Sequence, residues 1–257
     1  MSNAILVNSV VVEEMPRNAG AARSEYISSR HRGYMVCKVV GDWLLAGLLL
    51  FLLSPVIALL ALLVRITSRG PVIYRQERMG YNGKVFDILK LRTMIHNAEA
   101  GSGAVWAKRR DARVTLVGRF LRATHLDELP QLWNVLKGEM SLIGPRPERA
   151  EIVRRIERQL PEYPGRFQMR PGITGLAQLL VPPDDPGDHT LRVTKLKLAH
   201  DLYYVRQASL LLDLQIAVCT PLHFMATAIT AIGHGMLRSH GMAIEREHEE
   251  ADQTPRS

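Results

Sequence analysis

WLLAGLLLFLLSPVIALLALLV, Trp43 to Val64, is uncharged and almost wholly apolar, and its reading decides which folds are open to the rest of the chain. At about 1.5 Å per residue, a straight helix of that length crosses a hydrocarbon core of roughly 30 Å. The run starts too late for a typical secretory signal, and no A-x-A-like cleavage site follows it. Ser54-Pro55 stands in its middle, where the proline removes a backbone donor and clashes with the preceding turn. Basic residues flank both ends: Arg30, Arg32 and Lys38 before, Arg65 and Arg69 after. Loop charge therefore fixes no single orientation and allows both ends to be cytoplasmic. A helix broken at Ser54-Pro55 has two arms of roughly 16 Å, each deep enough for one leaflet only. That describes a re-entrant hairpin. A kinked span satisfies the same residues, so both readings stay open at this point.

Working outward, 257 residues leave room for one sizeable domain plus extras. Hydrophobic residues make up 47% and charged residues 23%, which favours a packed core over wholesale disorder. The net charge of +8 suits an anionic partner, whether phosphorylated substrate, anionic lipid or nucleic acid. Aromatics at 6% are thin for a single-strand binder that stacks bases, and no nucleic-acid motif is present, so nucleic acid is not expected. Cys37 and Cys219 lie outside any disulfide or zinc spacing and fit a reducing compartment. Residues 1–35 read as a poorly ordered segment and 234–257 as a disordered charged tail.

After the apolar run, Pro71 to Met94 reads as a β-hairpin. Val72-Ile73-Tyr74 is β-prone, Asn82-Gly83 supplies the turn, and Val85 to Leu91 resumes the strand. Period-two alternation sets Phe86, Ile88, Lys90 and Arg92 on one face, so Lys90 and Arg92 can converge on one anion. Any one of these cations alone is better read as a solvated edge. Gly101 to Asp111 reads as a mobile connection, and Val114 to Arg122 as a helix with Arg119 and Arg122 on one face.

Thr124 to Glu148, THLDELPQLWNVLKGEMSLIGPRPE, is the stretch that carries chemistry. A helix is expected to begin near Asp127, because Pro130 then falls in the first turn, where its missing N–H costs nothing. Asp127 and Glu128 would then sit at a helix start that favours phosphate. A lone Asp-x-x-Pro more often only caps its helix. Adjacent carboxylates offer more: one can attack phosphorus while its neighbour holds a divalent metal. Magnesium is the natural ion for Glu128 and Asp127, since it takes a few carboxylates plus substrate phosphates. Gly144-Pro145-Arg146-Pro147 is a stiff loop holding a guanidinium suited to phosphate, and Arg170-Pro171-Gly172 repeats the device.

From about Lys38 to Gly233 the chain resembles the bacterial sugar transferase family, the monotopic polyprenyl-phosphate phosphoglycosyl transferases. Five motifs stand in the family's order. They are the Ser54-Pro55 break, GPVIYRQERMGYNGKVFDILKLRTM, DARVTLVGRFLRATHLDELPQLWNVLKGEMSLIGPRPE, RPGITGLAQ and DLYYVRQASLLLDLQIAVCT. The resemblance implies that Asp127 is the nucleophile that attacks a UDP-sugar, expels UMP and carries a covalent phosphosugar. It implies that Glu128 binds magnesium, that Lys90, Arg122, Arg146 and Arg170 contact phosphate, and that Asp201 and Tyr204 fill acidic and aromatic positions of the later motif. The acceptor it implies is polyprenyl (undecaprenyl) phosphate, and the product the first lipid-linked sugar of an exopolysaccharide or other surface glycan. The place is the cytoplasmic face of a bacterial inner membrane, among membrane lipids, with a homodimer left open. The Ser54-Pro55 break is likewise tied to a re-entrant hairpin.

Three departures stand out. His125 replaces a small hydroxyl residue, which reads as a local variant rather than an acid–base group. Leu180 to Pro186 replaces the family's Asn-Gly-Arg, and the single apolar span marks a minimal form beside larger relatives. Leu191 to Ser209 reads as a helix. Leu210 to Ile232 is apolar but carries Asp213, so a surface-lying amphipathic segment or a packed core helix costs less than a span. The expected fold is α+β and mostly helical. It comprises a re-entrant membrane helix at 36–69 and a small cytoplasmic α/β catalytic domain at 70–233 with amphipathic interfacial helices. Two rivals remain: a membrane-tethered metal-dependent phosphohydrolase using the same carboxylates, and a non-enzymatic basic membrane-anchored binding protein.

Overall fold

A computed structural model describes residues 31–95, 98, 111–181 and 191–223. The expectations for residues 1–30, for the connection 101–110, for 182–190 and for the chain past 223 lie outside the described residues. The fold is mostly helical with a few short strands, as expected.

Helix α1 runs His31–Thr67, starting ahead of the expected boundary at 36, with Pro55 inside it. The two arms expected around Ser54-Pro55 belong to one continuous helix. Pro55 has no N–H for the carbonyl of Phe51, one turn back, and the Ser54 hydroxyl donates to that carbonyl at 2.8 Å instead. Where water is scarce such a replacement matters, since an unpaired carbonyl costs several kcal/mol. One stripe of α1 packs inward. Ala46 joins Ile88, Leu132, Val135 and Met140, while Leu60 and Val64 join Leu91 and Leu121. The opposite face leaves Leu44, Leu48, Phe51, Leu52, Leu59 and Leu62 more than half exposed. By length and composition the helix can cross a membrane, and so wide an apolar face is compatible with membrane anchoring.

Strands β1 (Ile73–Met79) and β2 (Val85–Leu91) form the expected antiparallel hairpin, registered from Ile73↔Leu91 to Met79↔Val85. Asn82 and Gly83 take positive φ at its turn. Helix α2 (Leu116–Thr124) is capped by the Thr115 hydroxyl accepting from Gly118 N–H, and it ends on His125 in the left-handed region.

The next helix starts later than expected. Leu126–Glu128 is a 3₁₀ turn, Pro130 is the N-cap, and helix α3 spans only Gln131–Leu136. The reason lies in the bonds: Glu128, Leu129, Leu132 and Trp133 N–H each reach back three residues rather than four. Pro130 has no N–H to close the four-residue bond onto Leu126. Asp127 thus sits in a tight turn ahead of a six-residue helix, and the helix-dipole basis for a phosphate site falls away.

Strand β3 (Ser141–Ile143) pairs in parallel with β4 (Gly172–Thr174). Backbones touch here: a Cβ on Gly144 would lie 2.4 Å from the Arg170 carbonyl oxygen. Gly144→Ala is therefore expected to cost about 1–3 kcal/mol and to shift the loop that carries Arg146. Thermal unfolding and turnover check this, and an unchanged melting temperature would contradict it.

Helices α4 (Ala150–Glu157), α5 (Leu176–Leu180) and α6 (Leu191–Gln207) complete the body. Val153, Tyr163, Phe167, Leu198 and Leu202 form the core between α4, the turn Tyr163–Gln168 and α6. Helix α7 (Leu210–His223) is one-sided. Ile216 and Asp213 face in, while Leu210, Leu211, Leu214, Val218 and Leu222 stay exposed. Asp213 accepts from Lys38 Nζ at 2.9 Å, Tyr34 at 2.8 Å and Tyr204 at 2.6 Å. This polar knot binds α1 to α6 and α7, which explains how an apolar segment carries an aspartate.

Candidate active site

Four segments converge on the Asp127-Glu128 pair. β2 brings Lys90, the last turn of α2 brings Arg122, the 3₁₀ turn brings both carboxylates, and the loop after β3 brings Arg146. Asp127 and Glu128 are each 7% exposed. Both are held there because His125 turns the chain out of α2 and Leu126 and Leu129 pack against the core around Leu91 and Leu121.

The two carboxylates have opposite surroundings. Glu128 Oε1 accepts from Lys90 Nζ at 2.7 Å and from Arg146 Nη2 at 2.5 Å, and Oε2 lies 3.3 Å from Arg146 Nη1. Burial acts to raise its pKa, but the charges and hydrogen bonds of Arg146 and Lys90 outweigh that and hold it well below the usual carboxylate range. Asp127 has no hydrogen-bond partner in the same environment among the described residues. Burial raises its pKa to about 6, with Glu128 adding repulsion and Lys90, Arg122 and Arg146 opposing. Three cations against two carboxylates leave one positive charge for an incoming phosphate. Glu128 is a fixed anchor for two cations, and Asp127 is a carboxylate with free lone pairs. That division is what a nucleophile beside a phosphate site requires.

Arg146 is itself held from behind. Arg166, buried, donates to the Arg146 carbonyl at 2.7 Å, to Tyr163 Oη at 2.5 Å and pairs with Asp201 at 2.6 Å. From the other side Arg78 pairs with Glu148 at 2.8 Å. Nothing in the local sequence marks Arg166 as buried, and sequence reasoning missed it. Its place between Pro164-Gly165 and Arg170-Pro171-Gly172 is the only signal.

Three of the expected site residues do not touch the dyad. Arg92 donates to the carbonyls of Pro71 and Ser68 and to the Ser68 hydroxyl, clasping the chain that leaves α1. Arg170 donates to the Gly138 carbonyl at 2.9 Å and lies over the Tyr81 ring, beside Trp43 and Val40 of α1. Asp201 is committed to Arg166. None of these three joins the dyad cluster. His125 lies between the dyad and a neighbouring cavity of about 540 Å³, and burial lowers its pKa, keeping its imidazole neutral near pH 7.

As for a metal, no group of three or more ligating side chains occurs among the described residues. Magnesium asks less, one or two carboxylates with substrate phosphates. The Asp127 carboxylate, which accepts no hydrogen bond among the described residues, and the lightly held Glu128 Oε2 meet that requirement.

A family profile described as bacterial sugar transferase matches residues 33–227. A protein of Caulobacter vibrioides named UDP-glucose:undecaprenyl-phosphate glucose-1-phosphate transferase is 46% identical over 183 residues, 71% of this chain and 67% of the relative. One of Aeromonas hydrophila named UDP-N-acetylgalactosamine-undecaprenyl-phosphate N-acetylgalactosaminephosphotransferase is 41% identical over 192 residues, 75% of this chain and 43% of the relative. The exopolysaccharide production protein PSS of Rhizobium leguminosarum bv. phaseoli is 40% identical over 173 residues, 65% of this chain and 84% of the relative. The chain thus spans two thirds of the first relative's length and less than half of the second's.

Proposed function

Because this chain belongs to the bacterial sugar transferase family, we propose that it transfers a sugar-1-phosphate from a UDP-sugar to undecaprenyl phosphate, with Asp127 as covalent nucleophile. The observation that carries this reading is the contrast within the pair. Glu128 is tied to Lys90 and Arg146, while Asp127 is buried among three cations with no hydrogen bond among the described residues.

In the first step an Asp127 carboxylate oxygen attacks the phosphorus that bears the sugar. The Oδ–P bond forms, the bond to the bridging oxygen of the diphosphate breaks, and its electron pair leaves with UMP. In the second step an oxygen of undecaprenyl phosphate attacks the same phosphorus, and Asp127 departs as a carboxylate. Lys90, Arg122 and Arg146 neutralise the phosphoryl oxygens as charge builds on them. Asp127 and Glu128 would hold magnesium, which when bound supplies further charge neutralisation at those oxygens.

The site works at a membrane. We place it at the cytoplasmic face of the inner membrane, with α1 re-entrant rather than spanning. In support, both ends of α1 are bound to the same body: Lys38 to Asp213 near the start, Leu60 and Val64 to Leu91 and Leu121 near the end. The exposed apolar face of α7 gives that body a second surface for lipid. The product would begin an exopolysaccharide or related surface glycan, in keeping with the name of the Rhizobium leguminosarum relative.

The test is the intact mass of the protein after UDP-glucose or UDP-N-acetylgalactosamine is added without lipid acceptor. A gain of one phosphoglycosyl group on Asp127, lost when undecaprenyl phosphate is supplied, is expected. Adding a chelator is expected to suppress it. A protein that turns over donor yet never carries that mass would end the covalent reading. The rate of adduct formation should also rise with pH through about 6 and then level off. Burial sets the Asp127 pKa near that value, and only the carboxylate attacks. A rate flat across that range would point to another nucleophile.

A further inference from the structure

The β1–β2 hairpin is a two-stranded sheet, so one edge of β2 has no strand beside it among the described residues. On that edge the Leu89 N–H donates to Asn134 Oδ1 at 3.0 Å, and Asn134 Nδ2 donates to the Asp87 carbonyl at 2.7 Å. One side-chain amide thus offers the strand the acceptor and the donor that a neighbouring strand would supply. The fit works one way round only, because the oxygen meets an N–H and the nitrogen meets a carbonyl. Nδ2 also donates to Glu139 Oε2 at 2.7 Å. Asn134 is completely buried, and its own carbonyl accepts from Glu139 and Met140 N–H, on the way into β3.

This amide joins the two elements that carry opposite ends of the Lys90–Glu128 ion pair. Lys90 follows Leu89 directly on β2, and Asn134 stands on α3, the helix after the turn that holds Asp127 and Glu128. Lys90 Nζ reaches Glu128 Oε1 at 2.7 Å along a flexible stem, so its aim is only as true as the placement of its backbone. Ile88 of β2 shares a core cluster with Leu132 and Val135 of α3, but apolar contact gives adhesion without direction. Two hydrogen bonds of fixed geometry set the register of strand against helix. We propose that Asn134 is a positioning residue of the transfer reaction, clamping β2 to α3 so that Lys90 meets the dyad where phosphate binds. The inference rests on the transferase reading given above. Asn134 touches no reacting atom and acts through Lys90.

The test is a double-mutant cycle on the full-length protein in lipid. It is read as the first-order rate of phosphoglycosyl adduct formation at saturating UDP-sugar without acceptor, a rate constant that does not depend on the active fraction of a preparation. Asn134→Ala leaves the Leu89 N–H and the Asp87 carbonyl open, and Asn134→Ser has one hydroxyl that can satisfy either but not both. Each is expected to slow adduct formation by about ten- to a hundredfold. If one variant fails to fold, the other carries the comparison. In a Lys90→Met background, itself slow, the same substitutions should change the rate by about twofold or less, since no ammonium remains to be aimed. Should Lys90→Met be too slow to follow, the same cycle is read as UDP-sugar affinity on the Asp127→Asn protein, with non-additivity as the criterion. A merely structural role gives equal slowing in both backgrounds. Wild-type rates in the single variants overturn the proposal, as does slowing undiminished in Lys90→Met. Loss of the folded state in both Asn134 variants also overturns it, leaving Asn134 a residue of the fold alone. A wild type that forms adduct and releases UMP, with any of these results, loses the positioning role and keeps the transferase. One that releases no UMP from any UDP-sugar loses both.

Discussion

Asp127→Asn is expected to abolish phosphoglycosyl adduct and UMP release, by roughly ten-thousandfold or more, while leaving the protein at least as stable as the wild type at neutral pH. The two halves of this expectation have one cause. The side chain is 7% exposed and accepts no hydrogen bond among the described residues, so its negative charge has lost water without gaining a close partner. Its folded pKa of about 6 stands above the ordinary 3.8. A carboxyl raised in this way contributes full stability only below its unfolded pKa, and the contribution is lost as pH rises through the folded value. At neutral pH the ionised group therefore costs the fold on the order of 2–3 kcal/mol. An asparagine of the same shape carries no charge and escapes that cost, but its amide nitrogen and weakly basic oxygen cannot attack phosphorus. Activity loss with a raised or unchanged melting temperature at pH 7 is the signature of a strained, functional carboxylate. Activity retained in Asp127→Asn would remove the nucleophile. Activity lost together with a collapse in melting temperature would make Asp127 a structural residue instead.

The hairpin was legible because its signals are local. Alternation over Val85–Leu91 and the Asn82-Gly83 turn each act within a few residues, and the strand's bounds coincide with the reading. Helices α2 and α6 likewise fall within two residues of expectation. Arg92 shows where such a rule stops. Alternation carried on past the strand sets it beside Lys90, but the strand ends at Leu91, and Arg92 is free to turn back to Ser68 and Pro71. The convergence of Lys90, Arg122 and Arg146 on the dyad is a tertiary fact that no spacing encodes. It was accessible only through the family's motifs. What motif order does not carry is which basic residue touches which partner. Arg170, embedded in a motif, sits beside Trp43 rather than Asp127, while Arg166, outside the five motifs, supports Arg146. In the sequence, Asp213 weighs against a membrane span. Its actual partners are Tyr204 in the helix just before it and Lys38 and Tyr34 in α1, far away in sequence, which only folding brings together.

That knot is where the largest loss of stability is expected. Asp213→Ala should destabilise the protein by about 3–5 kcal/mol, lowering the melting temperature by roughly 6–20 °C at this chain length. The side chains of Lys38 and Asp213 are 6% and 12% exposed. Removing the carboxylate leaves a buried ammonium whose nearest remaining partner is Asp42 at 3.6 Å, takes the 2.8 Å acceptor from Tyr34, and leaves Tyr204 with the longer bond to the Ile143 carbonyl. Breaking one side of such a pair costs far more than the pair is worth. Lys38→Met combined with Asp213→Leu should therefore recover much of the loss, though both tyrosines still lack the carboxylate. The effect should reach the active site as well. Ser141 Oγ donates to Asp42 at 2.5 Å, and Tyr204 Oη lies 3.2 Å from the Ile143 carbonyl, so β3 hangs on the same network three residues ahead of Arg146. In Asp213→Ala, turnover should fall at temperatures where the protein is still folded, through weaker donor binding. In the double variant, stability should return further than turnover does. Thermal unfolding in lipid nanodiscs and donor KM for both variants provide the comparison. If Asp213→Ala melts with the wild type, the knot holds nothing, and the link from membrane helix to Arg146 must run through the apolar contacts of α1 instead.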